Sequence, residues 1–244
     1  MCGRYAITLP PEAVRSYFAF IDNPNFPPRY NIAPTQPIPV VVADPWTAGG
    51  ARRFVLMRWG FLPGFVKDPK DFPLIVNARA ETLAEKPSFR AALKRRRCLV
   101  IADGFYEWRK DPGTGGRRQP AGRPYLVRRA SGRPMGFAGL YETWSDPSGG
   151  EIDTACIVTT AANRLLRQLH VRMPAILEPD VFAAWLDVDG VEAAGALALV
   201  KPAPEEALEL VEVGPAVNRV ANDDESLQRP VAAPIRTAVS ETLF

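Results

Sequence analysis

The amino-acid sequence predicts a single α+β domain with a strand-rich core and a few peripheral helices. The chain has 244 residues, of which 47% are hydrophobic, and this is enough to fill one sizeable core. Its 25 prolines disfavour a helical bundle, because proline breaks helices but is tolerated in turns. Short apolar or alternating segments recur between Gly, Pro and Asp residues, as expected for β-strands.

Seven segments have the composition of strands. Most are short, apolar or alternating, and bounded by turn-forming residues. Strands resume on both sides of two flexible segments, at 110–123 and 146–150, so neither segment is predicted to link two domains. The predicted strands are residues 38–43, 53–59, 98–102, 125–129, 136–141, 155–160 and 208–213.

Four segments have apolar residues at helical spacing. The first runs from residue 11 to 21 and begins with prolines, which favour a helix start. In the second, Ser88 is the expected N-cap and the helix ends in the basic residues 95–97. The third and fourth are expected at 161–170 and at 181–186.

Charge is distributed unevenly along the chain. Residues 1–172 contain 26 basic and 14 acidic residues, whereas residues 173–244 contain 4 basic and 13 acidic ones, for a net charge of +3. Most of the basic residues are arginines, whose guanidinium can donate two parallel hydrogen bonds to a phosphate. The pattern fits a basic body that binds an anionic partner, and it fits a solvated arginine-rich surface equally well.

The three cysteines, Cys2, Cys98 and Cys156, lack the spacing of a disulfide framework and favour a reducing compartment. The N-terminus has no signal-peptide pattern, and no apolar run reaches the ~20 residues of a membrane span. We therefore expect a cytoplasmic protein.

Cys2 follows the initiator methionine, and cysteine is small enough for that methionine to be removed. Removal leaves a free amine beside the thiol, and an α-amino group with a pKa of ~7.7–8.0 is partly neutral and nucleophilic near pH 7. The amine can condense with an aldehyde to a Schiff base, which the thiol then closes to a thiazolidine ring. The alternative is a cysteine that packs as a small apolar core residue.

His170 is the only histidine, so a multi-histidine metal site is excluded, and we expect neither a metal nor another cofactor. Its ring suits acid–base chemistry near neutral pH. The alternative is a histidine at a helix end that satisfies a backbone carbonyl.

Two further polar positions follow apolar strands. Glu107 lies between Tyr106 and Trp108, where an apolar environment can raise the pKa of a carboxyl and suit it to act as a general acid. A strand-end glutamate exposed to solvent gives the same pattern. Asn77 and Arg79 can bind a sugar or phosphate oxygen, or they can form a turn and a surface ion pair.

Other site patterns are missing or ambiguous. The chain has no phosphate-binding P-loop, no dinucleotide-binding glycine motif and no serine-nucleophile elbow. The segments 30–35 and 58–65 combine aromatic residues with proline or glycine. Such loops can stack on nucleic-acid bases or fill a protein core.

Read together, the motifs resemble the SOS-response-associated peptidase (SRAP) family, whose members process abasic sites. The segments, in chain order, are MCGRYA, RYNIAPTQ, RWGFLP, NARAET, RCLVIADGFYEW, FAGLYETW and TTAAN with LHVRMPAIL. The match continues to VNRVAN at 217–222, which implies an SRAP domain at 1–222 and a C-terminal tail at 223–244.

The resemblance implies a twisted, barrel-like, mainly antiparallel β core with a positively charged channel for single-stranded DNA. Cys2 would be the nucleophile that forms a thiazolidine crosslink with the aldehyde of an abasic site, in the response to DNA damage. Asn77 would hold the amine and sugar, Glu107 would donate a proton during ring opening, and His170 would act as an acid–base group. The residues implied in DNA binding are Arg4, Asn31, Pro34, Thr35, Trp59, Phe65, Arg79 and Arg172.

The sequence departs from the family pattern at two positions. Val171 stands where family members often have a polar residue, and Phe65 stands where some of them have tryptophan. The older family name leaves a thiol peptidase, acting mainly in autoproteolytic N-terminal processing, as the alternative function. A non-covalent DNA-binding module that uses only its arginines is a third reading. We expect a monomer.

Overall fold

The computed structural model describes residues 2–44, 50–110, 122–146 and 148–237. Within these ranges short strands form the body and α-helices lie around it. The strands are β1 (Tyr5–Ile7), β2 (Arg29–Ile32), β3 (Pro37–Ala43), β4 (Arg52–Trp59), β5 (Asn77–Arg79), β6 (Arg97–Ala102), β7 (Gly104–Arg109), β8 (Arg123–Arg129), β9 (Met135–Ser145), β10 (Glu151–Ala161), β11 (Arg172–Pro174), β12 (Ile176–Leu177), β13 (Leu208–Glu212) and β14 (Ile235–Arg236). The helices are α1 (Pro11–Phe18), α2 (Pro87–Arg95), α3 (Phe182–Leu186) and α4 (Ala193–Ala198).

Five strands close into a barrel. β4 pairs with β3, β3 with β6, β6 with β9 and β9 with β10, all antiparallel. β10 then returns to β4 in a parallel pairing at Thr154–Arg58 and Ala155–Trp59, which completes the ring. The barrel strands contribute fully buried aliphatic and aromatic side chains to the main core. The expected α+β fold with a barrel-like, mainly antiparallel core is confirmed.

A second, antiparallel sheet carries the start of the chain. Its strand order is β14-β13-β8-β7-β1-β2, so β1 lies between β2 and β7. Short β5 instead adds to β10 of the barrel in parallel, with Asn77 opposite Ile157. The second sheet therefore carries Glu107 on β7, whereas Asn77 stands on the barrel.

All seven predicted strands are present, whereas the helices required correction. α1 ends at Phe18 because Ala19 adopts a left-handed backbone at φ 54°, and Ile21 lies outside the helix and is exposed. α2 has Lys86 rather than Ser88 as its N-cap. Arg97 is not on the helix but begins β6, where its guanidinium donates to four backbone carbonyls.

The predicted helix at 161–170 was wrong. Residue 161 still belongs to β10, and only Leu166–Gln168 forms a 3-10 turn. Leu165, Leu166 and Leu169 are nevertheless buried. Their spacing therefore correctly indicated buried positions, but these positions do not lie on a long helix. The predicted helix at 181–186 is confirmed as α3, whose Phe182 ring stacks on Phe18 of α1 at 5.3 Å.

The predicted loop at 110–123 lies mostly outside the described residues, which resume at 122. In the loop at 146–150, the Asp146 N–H donates to the carbonyl of Gly150. None of the described helices is both long enough and apolar enough to cross a membrane.

Candidate functional site

Cys2 is buried and is held by Asn77. The Asn77 Nδ2 donates to the Cys2 carbonyl oxygen at 2.7 Å. Asn77 can reach this carbonyl because it is the first residue of β5, which the barrel strand β10 fixes. The Oδ1 atom of Asn77 is buried and has no hydrogen-bond partner within the described residues. A buried acceptor beside Cys2 is therefore available for another donor.

The Cys2 thiol is in an apolar, negatively biased environment. Its Sγ lies 3.9 Å from the Arg4 carbonyl oxygen. Burial raises the pKa of the thiol well above its usual range, and the charge of Glu107 raises this pKa further. The thiol is therefore neutral near pH 7.

Glu107 is brought to Cys2 by strand pairing. β7 pairs with β1 at Tyr5–Phe105, and the Tyr106 N–H donates to the Arg4 carbonyl oxygen at 2.9 Å. Glu107 follows directly and is 5% exposed. The alternative of a solvent-exposed strand-end glutamate is therefore contradicted, because β7 is an interior strand of its sheet.

His170 is held by a different part of the fold. Its Nδ1 accepts a hydrogen bond from the Arg172 N–H at 2.9 Å. The Arg172 guanidinium forms two hydrogen bonds with Glu81, at 2.6 and 2.8 Å, and one with the Thr159 carbonyl at 2.6 Å. Thr159 pairs with Arg79 on β5. The bonded side chains of His170, Arg172 and Glu81 therefore lie next to the strand that carries Asn77. Within the described chain, no hydrogen bond joins His170 to Cys2 or Asn77.

Four of the predicted DNA-contacting residues present at least part of their side chains to solvent. Arg79 and Thr35 are exposed, Pro34 is half-buried, and Phe65 is 62% exposed with its ring edge near Phe72. Thr35 has φ 75°, an uncommon backbone for a β-branched residue. Its N–H donates to the Trp59 carbonyl at 2.8 Å, so the turn at Thr35 is fixed to the end of β4, from which the chain continues to Phe65.

The other four predicted DNA contacts are engaged inside the protein. Trp59 is fully buried, and its Nε1 donates to the Val76 carbonyl, so it is not accessible for stacking on a base. Asn31 is 1% exposed. Its side-chain oxygen accepts a hydrogen bond from Arg4, and its side-chain nitrogen donates to backbone carbonyls. Arg4 donates to Asn31 and to a carbonyl, and Arg172 is paired with Glu81. Trp59 and Asn31 are therefore buried, whereas Arg4 and Arg172 are partly buried and bonded to other groups of the protein.

Sequence reasoning missed two contacts close to the site. The Trp108 indole, beside Glu107, donates to Asn218 Oδ1 at 2.7 Å and also lies 5.9 Å from the Arg4 guanidinium carbon. Asp223 accepts from the Tyr30 and Asn31 N–H groups. Neither contact has a local sequence signal, because each joins segments more than 100 residues apart.

The described residues contain no cluster of three or more His, Cys, Asp or Glu side chains that could hold a metal ion.

Comparison of the chain with protein families and with known proteins gives the same family that the order of the motifs resembles. The family described as SOS response associated peptidase (SRAP) matches residues 1–220. The abasic site processing protein YoqW of Bacillus subtilis strain 168 is 35% identical over 231 residues, covering 93% of this chain and 98% of YoqW. The abasic site processing protein HMCES of Rattus norvegicus is 31% identical, covering 91% of this chain and 74% of HMCES.

A crystal structure of a protein from Bacteroides thetaiotaomicron has the same fold, with a TM-score of 0.81. The two sequences are 23% identical, and the alignment covers 95% of this chain and all of the other.

Proposed function

The chain belongs to the SOS response associated peptidase (SRAP) family, and from this we propose that it processes abasic sites in DNA. We further propose that it binds single-stranded DNA and forms a thiazolidine crosslink with the abasic sugar through Cys2, after removal of Met1. The observation that carries the proposal is the hydrogen bond from Asn77 to the Cys2 carbonyl, beside a buried Glu107. This arrangement holds the first carbonyl group of the processed chain at Asn77, with Glu107 nearby.

The chemistry balances with the loss of one water molecule. The freed amine of Cys2 attacks the C1′ aldehyde carbon of the ring-opened sugar, and the resulting carbinolamine loses water to give an imine. The Sγ–H bond then adds across the C=N bond, so that sulfur bonds to C1′ and the proton passes to nitrogen. The raised pKa of the buried thiol suits this last step, because the neutral thiol carries the proton that the nitrogen accepts.

Asn77 has two separate hydrogen-bonding roles in this mechanism. Its Nδ2 holds the Cys2 carbonyl, and its unpartnered Oδ1 can accept from the amine or from a sugar hydroxyl. A fixed amine raises the effective concentration of the nucleophile at the aldehyde.

Glu107 is the carboxyl group whose charge acts on the Cys2 thiol, and we assign proton transfer to it. It can protonate the ring oxygen when the sugar opens, and it can protonate the departing hydroxyl of the carbinolamine. Its burial strengthens these interactions, because charge is poorly screened away from water.

His170 is assigned to later acid–base steps, such as ring closure or reversal. Its Nδ1 accepts from the Arg172 N–H, which leaves Nε2 as the proton-bearing nitrogen of the neutral ring. A hydrogen bond between His170 and a thiol nucleophile is what a peptidase dyad requires. None is present among the described residues, so the peptidase alternative is less well supported.

Single-stranded DNA is proposed as the partner on the basis of the exposed loops beside Asn77. Phe65 and Pro34 can contact bases or fill the gap left by a missing base, and Arg79 can hold a phosphate. Trp59, Asn31, Arg4 and Arg172 are proposed to support this surface from within. A monomer is sufficient for this arrangement.

A gel assay tests the proposed function. The protein is incubated with a single-stranded oligonucleotide containing one abasic site and then denatured. We expect a slower-migrating covalent band with wild-type protein, none with Cys2→Ala, and an unchanged band with Cys156→Ala, which removes a buried thiol on β10. No covalent band with wild-type protein contradicts the proposal, and cleavage of unrelated proteins without DNA favours the peptidase.

A further inference from the structure

We propose that residues 216–223 form a C-terminal clasp that positions Cys2 and Glu107, with Asn31 and Asp223 as its positioning residues. The inference rests on the proposed function, because it assigns a role to residues outside the reacting groups. It assigns Asn31 to the interior support of the site rather than to direct DNA contact.

Asn31 is the centre of the clasp. Its Nδ2 lies 3.2 Å from the Val217 carbonyl, 3.0 Å from that of Arg219 and 2.7 Å from that of Asn222. Its Oδ1 accepts from Arg4 Nη1 at 2.8 Å. A buried amide at this position therefore gathers three carbonyls of one C-terminal turn and one side chain from the N-terminus.

Asp223 binds the clasp to the backbone of β2. Its Oδ1 accepts from the Tyr30 N–H at 2.5 Å and the Asn31 N–H at 2.9 Å. Its Oδ2 accepts from Arg29 Nε, which makes an ion pair with the same carboxylate. One carboxylate therefore accepts from two backbone N–H groups and from Arg29 Nε, although Asp223 is 193 residues from Tyr30 in sequence.

Two anchors of the clasp adjoin the reacting residues. Arg4 donates to the Val217 carbonyl at 2.9 Å and is two residues from Cys2. Trp108 follows Glu107 and donates to Asn218 at 2.7 Å. The Arg4 guanidinium also lies 5.9 Å from the Trp108 ring centre, so the two anchors contact each other as well as the clasp.

These contacts fix the chain just after the nucleophile, at Arg4, and just after its proton donor, at Trp108. The Tyr106 N–H to Arg4 carbonyl bond joins the same two strands, and Cys2 Sγ faces that carbonyl. Loss of the clasp frees Arg4 and Trp108 to move and shifts Cys2 relative to Glu107. Misplacement of reacting groups by about 1 Å can slow a reaction on the order of a hundredfold.

The kinetic test compares two neighbouring aspartates. Asp223→Ala removes the three hydrogen bonds that hold the clasp to β2, whereas Asp224→Ala removes only the N-cap of the turn at Glu225–Gln228. In single-turnover crosslinking we expect Asp223→Ala to lower the maximal rate by about tenfold to a hundredfold. The DNA concentration for half-maximal rate should stay within about twofold, and Asp224→Ala should change neither value.

Two further variants separate positioning from folding. Asp223→Asn keeps an acceptor for the backbone N–H groups and should restore part of the rate. Asn218→Ala removes only the contact with Trp108, and it should lower the maximal rate without unfolding the protein. An unchanged maximal rate in folded Asp223→Ala, or a change confined to the half-maximal DNA concentration, overturns the proposal.

A second measurement is independent of DNA chemistry. Iodoacetamide alkylation of each cysteine is followed by peptide mass spectrometry, with buried Cys98 and Cys156 as internal controls. Asp223→Ala should speed alkylation of Cys2 by about tenfold while the other two rates stay unchanged. No change at Cys2, or an equal rise at all three cysteines, overturns the clasp. If wild-type protein fails to crosslink but Cys2 responds as expected, the proposed function fails and the clasp stands.

Discussion

Asn77 donates a hydrogen bond from Nδ2 to the carbonyl oxygen of Cys2 at 2.7 Å, and this bond ties the start of the chain to the barrel. The contact depends on β5, a strand of three residues that lies beside β10. A small parallel pairing therefore decides where the nucleophile stands relative to Glu107 and to the exposed loops.

Replacing Asn77 by Ala should slow crosslinking by at least about tenfold, because the amine loses its fixed position. The cost in the free energy of unfolding should be about 1 kcal/mol, as for one lost hydrogen bond. Asn163→Ala is the control; Asn163 donates from Nδ2 to the Ala203 carbonyl and accepts from the Leu166 N–H, both at 2.9 Å, so its loss of stability should be at least as large. Crosslinking rates and urea unfolding of both variants check the prediction. Equal rates for wild type and Asn77→Ala would contradict it.

Substitution of Trp59 should lower protein stability, whereas substitution of Phe65 should lower the affinity for single-stranded DNA. Trp59→Phe removes the bond from Nε1 to the Val76 carbonyl and should cost about 1–3 kcal/mol of unfolding free energy. Phe65→Ala should leave stability nearly unchanged, because the ring is exposed, and should weaken binding to single-stranded DNA by about 1–3 kcal/mol. Thermal unfolding measures the change in stability, and fluorescence anisotropy measures the change in DNA affinity. Weaker DNA binding by Trp59→Phe, with unchanged binding by Phe65→Ala, would show that Trp59 is the DNA contact.

Arg79→Ala should weaken binding to all single-stranded sequences about equally, as expected for a phosphate contact. The plot of log affinity against log salt should lose about one unit of slope. Arg164→Ala is the control, because Arg164 is exposed and paired with Glu205. Anisotropy titrations between low and moderate salt give both slopes, and an unaltered slope for Arg79→Ala removes Arg79 from the DNA surface.

Protein stability should fall as the solution becomes alkaline. Burial raises the pKa of Cys156 to about 12, and burial also raises the pKa values of the Cys98 and Cys2 thiols. Unfolded thiols ionise near pH ~8.5 while the folded protein keeps these protons, so stability is full below that pH and is lost as pH rises above it. Three thiols together account for a slope of up to roughly 4 kcal/mol per pH unit.

Urea unfolding between about pH 7.5 and about pH 10 measures this loss. The double variant Cys98→Ala/Cys156→Ala should lose less stability over the same interval. A free energy of unfolding that rises with pH in wild-type protein would contradict the expected burial of these thiols.

The strand pattern could be predicted from sequence because it depends on local composition. All seven predicted strands exist, and most are apolar or alternating segments between turn residues. The strands β1, β2, β5, β11, β12 and β14 were missed, since two to four residues are too few for alternation to be recognised. The six-residue β7 was also missed, because only Asp103 separates it from β6. The motif order predicted Cys2, Asn77, Glu107 and His170 as a group. The structure brings the first three together, whereas no hydrogen bond joins His170 to Cys2 or Asn77 among the described residues.

The predicted helix at 161–170 failed because buried leucines can recur at helical spacing in an irregular segment. Residue 161 is instead held on β10 by pairing with Arg172, a contact that periodicity does not reveal. Likewise, the exposure of Trp59, Asn31 and Arg172 depends on distant partners, such as Val76 and Glu81.

The uneven charge also has an explanation that the sequence did not reveal. Several arginines of the first 172 residues pair with carboxylates of the acidic C-terminal region, which reduces the positive surface available to DNA. The pairs are Arg29–Asp223, Arg123–Glu212, Arg128–Glu209, Arg129–Glu178 and Arg164–Glu205. The exposed Arg79 is therefore a better candidate for phosphate contact than the total arginine count suggests.

Intact-mass spectrometry of the crosslinked product tests the central claim most directly. The expected mass is that of the chain without Met1 plus that of the abasic oligonucleotide, less one water molecule. Cys2→Ala protein should give no such species. A crosslinked product that retains Met1, or one that still forms in Cys2→Ala, would contradict thiazolidine formation at Cys2.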